Sequence, residues 1–340
     1  MRTLNAAIIG CGAIHQCHVE ALRQIPGVTL RAVVDTEKDK GLALSAEYHC
    51  HFYQDYREML CDVSIDVVHI CTPHYLHKPM ILAALAAGKQ VFCEKPVGMN
   101  MAEVAEIQEA EKQADGRLGV CYQNRLNPTS LALHQLLEEN TLGRLLSINA
   151  YLTWSRTPPY YTHSPWRGRY ATEGGSLLIN QAIHTLDLVQ WFGGGITRLK
   201  GVVDCARLAD TIDTEDTAMA TLEFSGGAHG LFFASNNHTR DAPLQLEIHC
   251  EQGELQLRDN TLWRVTEGTR VIIACDESPY SHSKSYWGAG HLQAIRQFYD
   301  AVRSGRSEGV TGLHEAAKSL QLVEAIYRSS QCRRWVTLPE

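Results

Sequence analysis

The first 125 residues alternate between two periods, and that alternation constrains the fold more than any other feature of the chain. The runs LNAAIIG (4–10), VTLRAVVD (28–35), IDVVHICT (65–72), KQVFCEK (89–95) and RLGVCYQ (117–123) are short, apolar and rich in Val, Ile and Cys. Helix-patterned segments lie between them near 13–25, 37–48, 75–87 and 101–114. A sheet with one wet face would alternate apolar and polar residues. Near-continuous apolar strands separated by helices need cover on both faces, which a doubly wound parallel sheet provides. The expected fold class of this part is α/β.

The pattern changes near NRLNP (124–128). A helix at 129–140 and a strand at 145–154 follow, then an irregular stretch and one apolar helix, SLLINQAIHTLDLVQWF (176–192). From 197 to 275 closely spaced strands with tight turns predict antiparallel pairing. Helices near 289–304 and 313–329 and a final strand, RRWVTLP, complete the chain. Two domains are expected: 1–124, which would bind a nucleotide, and 125–340, an α+β domain with a mostly antiparallel open sheet that would bind substrate.

Composition excludes several functions. The formal charge of −7, with no long basic run to offset it, argues against a nucleic-acid partner. The most helical apolar run, MILAALAAG (80–88), is far too short to span a membrane, and the N-terminal apolar run is too short for a signal peptide. Eleven cysteines are scattered without a C-x-x-C pair, so a cytoplasmic location is expected. No metal site is expected; HCH at 49–51 is the closest approach to one.

IIGCGAIHQCH (8–18) sets Gly10 and Gly12 at the turn from the first strand into the first helix. Glycines there let backbone N–H groups, those of Ala13 and Ile14 included, approach a pyrophosphate. Asp35 closes the second strand at the spacing of a ribose-binding acid, so the first domain reads as a Rossmann sheet that prefers NAD to NADP. His15 occupies the position of the third fingerprint glycine. In CTPHYLH (71–77), Thr72 and Pro73 are expected along the cofactor because ligands bind at the carboxyl ends of parallel strands. His77 follows them among the cofactor-binding positions, although His74 and His77 read as solvent-facing or capping residues rather than catalysts.

QVFCEKPVGMN (90–100) puts Glu94 and Lys95 at the end of another strand on the same rim, with Pro96 stopping the ladder. Lys95 beside a nicotinamide suits a developing alkoxide, while a structural Glu–Lys pair accounts for the residues equally well. Asn180 and His184 are four apart on an apolar helix and so share a face. An imidazole is the natural base for an alcohol proton near neutral pH. Asp187 suits either orienting that ring or pairing on the helix surface.

These motifs (Gly10-x-Gly12, TPHYLH, EKP and the helix bearing His184) together resemble the Gfo/Idh/MocA oxidoreductases, relatives of glucose–fructose oxidoreductase and inositol dehydrogenase. The resemblance covers essentially the whole chain. It implies that Lys95 and His184 are catalytic, that Asn180, standing where the family commonly has an aspartate, joins them as a catalytic and substrate-binding residue able to bind a hydroxyl, and that Glu94 and Lys95 adjoin the cofactor. It also implies a homo-oligomer, a dimer or tetramer, formed through the second domain's sheet. The expected activity is hydride transfer between NAD and a secondary alcohol or ketone of a cyclic polyol, sugar or glycoside. Two alternatives share the fold: a glycosidase using transient oxidation and elimination, and a non-catalytic NAD-binding regulator.

TWSRTPPYYTHSPWRGRYATEGG (153–175) carries Trp154, Tyr160, Tyr161, Trp166, Arg167 and Arg169 without a regular period. Aromatic faces and Arg forks suit sugar rings and their oxygens, and suit a subunit contact as well. Trp166 and Arg167 are candidate substrate contacts, with Arg125, beside Asn124, and Tyr286, near His291.

Overall fold

The computed structural model describes residues 2–276 and 290–339. The chain divides into two units, Met1–Gln123 with Gly290–Ala317 and Asn124–Ala289 with Lys318–Glu340.

The first unit runs β1 (Leu4–Ile9), α1 (His15–Arg23), β2 (Val28–Val34), α2 (Lys38–Tyr48), β3 (His51–Tyr53), α3 (Tyr56–Leu60), β4 (Val67–Ile70), α4 (His77–Ala86), β5 (Gln90–Glu94), α5 (Met101–Gln113) and β6 (Leu118–Cys121). Its six strands pair in parallel in the order β3-β2-β1-β4-β5-β6. The central strands β4, β5 and β1 are buried almost throughout, which is why they read as unbroken apolar runs. The alternation did not reveal β3 or α3, which are three and five residues long.

The second unit continues with α6 (Pro128–Glu138), β7 (Leu145–Thr153), α7 (Pro158–Thr162), α8 (Tyr170–Glu173) and α9 (Ile183–Phe192). Then come β8 (Ile196–Asp204), β9 (Thr217–Phe224), β10 (His229–Ser235), β11 (Gln245–Cys250), β12 (Gly253–Arg258), β13 (Thr261–Thr266) and β14 (Thr269–Cys275). The returning elements are α10 (His291–Ser304), α11 (Leu313–Cys332) and β15 (Val336–Thr337). Nine strands form one open sheet in the order β14-β13-β12-β11-β7-β10-β9-β8-β15, antiparallel except where β7 meets β10. Alternate residues of β7 and β9 are buried, so this sheet has one core face and one wetter face.

Residues 290–317, expected in the second domain, pack with the first unit instead. Ile295, Phe298 and Tyr299 on α10 are fully buried in the same core as Ile8, Val19, Leu22 and Phe92. Each such large side chain contributes about 1.5–3 kcal/mol. Gly119 on β6 makes room, since a Cβ there would stand 2.6 Å from the Phe298 ring.

The helix expected over 176–192 is of two kinds. Leu177–Ala182 is a π-helical turn and only Ile183–Phe192 is α-helical. Its start is held from outside: the Glu215 carboxylate accepts the Leu178 N–H at 2.8 Å and the Ser176 N–H at 3.3 Å. All eleven cysteines are free thiols, of which Cys61, Cys275 and Cys332 are exposed. No helix among the described residues is long and apolar enough to cross a membrane.

Candidate active site

In the first unit the candidate residues gather at the carboxyl ends of the parallel strands. Gly10 has φ +90°, and a Cβ on it would stand 2.7 Å from the Cys71 carbonyl oxygen, so only glycine carries the turn that close to β4. Gly12 faces open space. The Asp35 carboxylate ties this turn to β2: Oδ2 accepts the Cys11 N–H at 2.9 Å and meets Lys40 Nζ at 3.1 Å, and Oδ1 accepts the Glu37 N–H at 2.9 Å. Burial alone would raise Asp35; the Glu37 and Cys11 N–H groups and Lys40 outweigh it and hold the carboxyl below its ordinary value. Oδ1 keeps a lone pair for a ribose hydroxyl. A turn with glycines at 10 and 12 at a helix start, followed by an ionised acid, fits an NAD pyrophosphate and ribose.

His15 departs from the fingerprint glycine without blocking the turn. Its Nδ1 lies 2.5 Å from the Gly12 carbonyl oxygen and its Nε2 3.1 Å from the Tyr48 hydroxyl, so the ring is turned toward α2.

His74 and His77 are not solvent-facing, since both are buried, and His77 is the C-cap of the short 3₁₀ helix His74–Leu76. His77 Nδ1 lies 2.6 Å from the Pro96 carbonyl and Nε2 2.8 Å from the Thr72 carbonyl. The ring thus joins the loop bearing Thr72 and Pro73 to the loop after Lys95. Burial lowers its pKa, and as a neutral imidazole it donates to one of the two carbonyls. Lys95 is half-buried where β5 ends, and the Lys95–Pro96 peptide is cis.

Glu94 points into the core, where sequence reasoning had seen no network. It accepts from His18 Nε2 at 3.0 Å; His18 Nδ1 meets His69 Nδ1 at 2.8 Å, and His69 Nε2 meets the Tyr299 hydroxyl at 3.0 Å. A carboxylate only accepts, so His18 donates its Nε2–H to Glu94, and the His69 ring links His18 to the Tyr299 hydroxyl behind it. Burial raises Glu94, but His18, then His291 and Lys95, hold it well below its ordinary value. His291, on α10, is buried with Nε2 3.9 Å from Glu94 Oε1; burial, despite Glu94, pushes it down to about 4. Donor atoms of Glu94, Cys121 and His291 lie within 4.8 Å of one another, and burial raises the Cys121 thiol far above its ordinary value.

In the second unit the π-turn carries Asn180 and α9 carries His184. Asn180 Nδ2 donates to Glu173 Oε1. Asp187 is committed elsewhere than His184 or the helix surface: it is 1% exposed and takes both arms of Arg125 at 2.7 Å, with Ser319 Oγ at 2.8 Å. Arg125 is therefore buried in a two-pronged ion pair, with its guanidinium 5.3 Å from the Trp191 ring centre. The irregular stretch forms a ladder: Arg156 lies over Trp154 and Tyr160, and Arg167 over Tyr160 and Trp166, at 4.3–5.1 Å from the ring centres. Tyr286 falls outside the described residues.

Residues 4–122 match an oxidoreductase family with an NAD-binding Rossmann fold, and 130–256 match the same family's C-terminal domain. The chain belongs to the Gfo/Idh/MocA oxidoreductase family. It is 31% identical to trans-1,2-dihydrobenzene-1,2-diol dehydrogenase of Sus scrofa over 90% of each chain. With myo-inositol 2-dehydrogenase of Thermotoga maritima it shares 25% over 99% of each. The WlbA dehydrogenase of Bordetella pertussis, solved with NADH and UDP-GlcNAcA, superposes with a TM-score of 0.88 at 25% identity, covering 100% of this chain and 99% of that one. The molecule is thus an NAD-dependent dehydrogenase of the sugar and polyol type.

Within this Gfo/Idh/MocA chain, sequence reasoning missed Glu173, a wholly buried carboxylate against Asn180, and the His18–His69–Tyr299 chain behind Glu94. A glutamate directly before Gly174-Gly175 was the available signal for the first. Two histidines inside apolar runs, His18 and His69, were the signal for the second.

Proposed function

We propose that the chain oxidises a secondary alcohol on a ring, in a cyclic polyol, a sugar or a glycoside, and that the same groups serve the reverse reduction. One observation carries the reading: Lys95 stands half-buried at the carboxyl end of β5, next to a loop that His77 ties to Thr72 and Pro73. Bound NAD supplies the acceptor for the hydrogen and electron pair leaving the carbinol carbon. Gly10, Gly12, Ala13, Ile14 and Asp35 hold it, with Thr72 and Pro73 toward its nicotinamide half. Lys95 hydrogen-bonds the reacting oxygen and stabilises its growing negative charge. His184 takes the hydroxyl proton, and Asn180 holds a substrate hydroxyl. The Trp166–Arg167 end of the aromatic–arginine ladder offers a ring-stacking face and cationic donors for substrate oxygens. Two relatives, named for an inositol and for a dihydrobenzenediol, support a ring-borne hydroxyl as the target.

The test is NADH formation with inositols, aldoses, uronates, UDP-sugars and glycosides, run beside Lys95→Ala. Turnover on one class, lowered by about 10²–10⁴-fold in the variant, is expected. Glycoside cleavage without NADH accumulation, or NAD binding without turnover, would replace this reading with the glycosidase or the regulator.

The chain acts as a homo-oligomer in this reading. On the wetter face of the nine-stranded sheet, Val202, Met219, Phe233 and Tyr151 follow one another across β8, β9, β10 and β7 as a row of apolar side chains. Eleven free thiols fit a reducing, cytoplasmic setting.

A further inference from the structure

Asn180 has a carboxylate behind it. Its Nδ2 donates to Glu173 Oε1, and the Gly168 N–H donates to Glu173 Oε2 at 2.5 Å. Glu173, the last residue of α8, is 0% exposed. Arg167 faces it from the preceding loop, Tyr161 from α7, Glu215 from the segment before β9, and Tyr327 from α11. The backbone around it admits little else. Gly168 has φ +67°, with Ile212 where a Cβ would be, and Gly175 has φ +149°, with the Tyr327 hydroxyl in that place.

An amide has a donor end and an acceptor end, whereas a carboxylate only accepts. With its NH₂ end committed to Glu173, the Asn180 amide turns its carbonyl the other way. We propose that Glu173 is a positioning residue: it locks the Asn180 amide so that Oδ1 is the atom offered to a substrate hydroxyl. Asparagine then serves as the acceptor that an aspartate would be, without a second charge beside Glu173. The inference rests on the reading of Asn180 as a substrate contact.

The strength of the lock depends on protonation. Burial, opposed by the Gly168 and Asn180 hydrogen bonds and by Arg167, pushes Glu173 up to about 7. A protonated carboxyl has an O–H to donate, which the Asn180 NH₂ cannot accept. The carbonyl oxygen still accepts, so as pH falls through the neutral range the hydrogen bond from Asn180 is kept but loses its charge assistance.

Protein carrying ¹⁵N at its asparagine side chains reads the lock without substrate. The Asn180 amide signals, identified by their loss in Asn180→Asp, are expected to titrate with a midpoint near 7 and to stop titrating in Glu173→Gln. Kinetics on the substrate found above give the second readout. Glu173→Gln is expected to lower kcat/KM about 10–100-fold, the worth of a hydrogen bond to a charged group, and to change the acid limb of the pH profile to the one that the His184 base alone sets. NADH binding should be unchanged. Asn180→Asp alone, which sets two carboxylates together, should be worse than the double variant Glu173→Gln/Asn180→Asp. Asn180 amide signals that are the same in the wild type and in Glu173→Gln would overturn the lock, as would strictly additive losses in the two single variants. A fully active Lys95→Ala would instead overturn the reading of the site and leave the amide titration standing.

Discussion

Asp35 meets two N–H groups and Lys40 at once. The aspartate repels a 2′-phosphate, yet a cation already stands against it. Asp35→Ser is expected to free Lys40 for that phosphate and to move the ratio of kcat/KM for NADP over NAD upward about 10–100-fold, the scale of one charge-assisted contact. Assays with both cofactors check it, and an unchanged ratio would remove Lys40 from cofactor choice. At this scale the sequence was partly legible. Glycine spacing and an acid after β2 announce a nucleotide because so few residues permit that turn. Fixing the roles of His77 and Asp187 required knowing what lies across from them: two carbonyls for one, and Arg125 with Ser319 for the other. Nothing in a one-dimensional spacing reports such partners.

Among elements, α9 and the π-turn before it show how a pattern hides a change of helix type. A π-turn inserts without disturbing the apolar character of a buried run, so SLLINQAIHTLDLVQWF reads as one helix throughout. Such turns frequently accompany functional sites, and this one holds Asn180. The other end of the helix story is Arg125, set in the turn after β6 and paired to α9 through Asp187. Removing one member of a buried pair leaves the other charge without compensation. Arg125→Met is expected to cost about 3–5 kcal/mol in urea unfolding, and Arg125→Met/Asp187→Leu to recover part of it. Equal stability in all three proteins would show that the pair is effectively solvated. The regular elements were legible because buried parallel strands must be apolar throughout. β3, three residues long, is too short to express any period.

For the molecule as a whole, two kinds of sheet make different demands. The six-stranded sheet is covered on both faces, whereas the nine-stranded one leaves a row of apolar side chains on its wetter face. Met219→Glu, in the middle of that row, is expected to shift the light-scattering mass from a multiple of the chain mass to that of one chain. A wild-type mass of one chain would refute the oligomer outright. Sequence reasoning placed residues 290–317 with the second domain because a chain is most simply cut once. The apolar face of α10, completed by residues from the first unit's core, is what brings that segment back.

The free thiols described with the fold differ in what can reach them. Cys11 and Cys17, near the cofactor turn, are buried and pushed up to about 12, so neither offers a thiolate at neutral pH. Cys61, Cys275 and Cys332 are exposed. A thiol-reactive dye would therefore decorate the surface and leave the nucleotide turn untouched, giving the natural chain its own attachment points for fluorescence without any engineering.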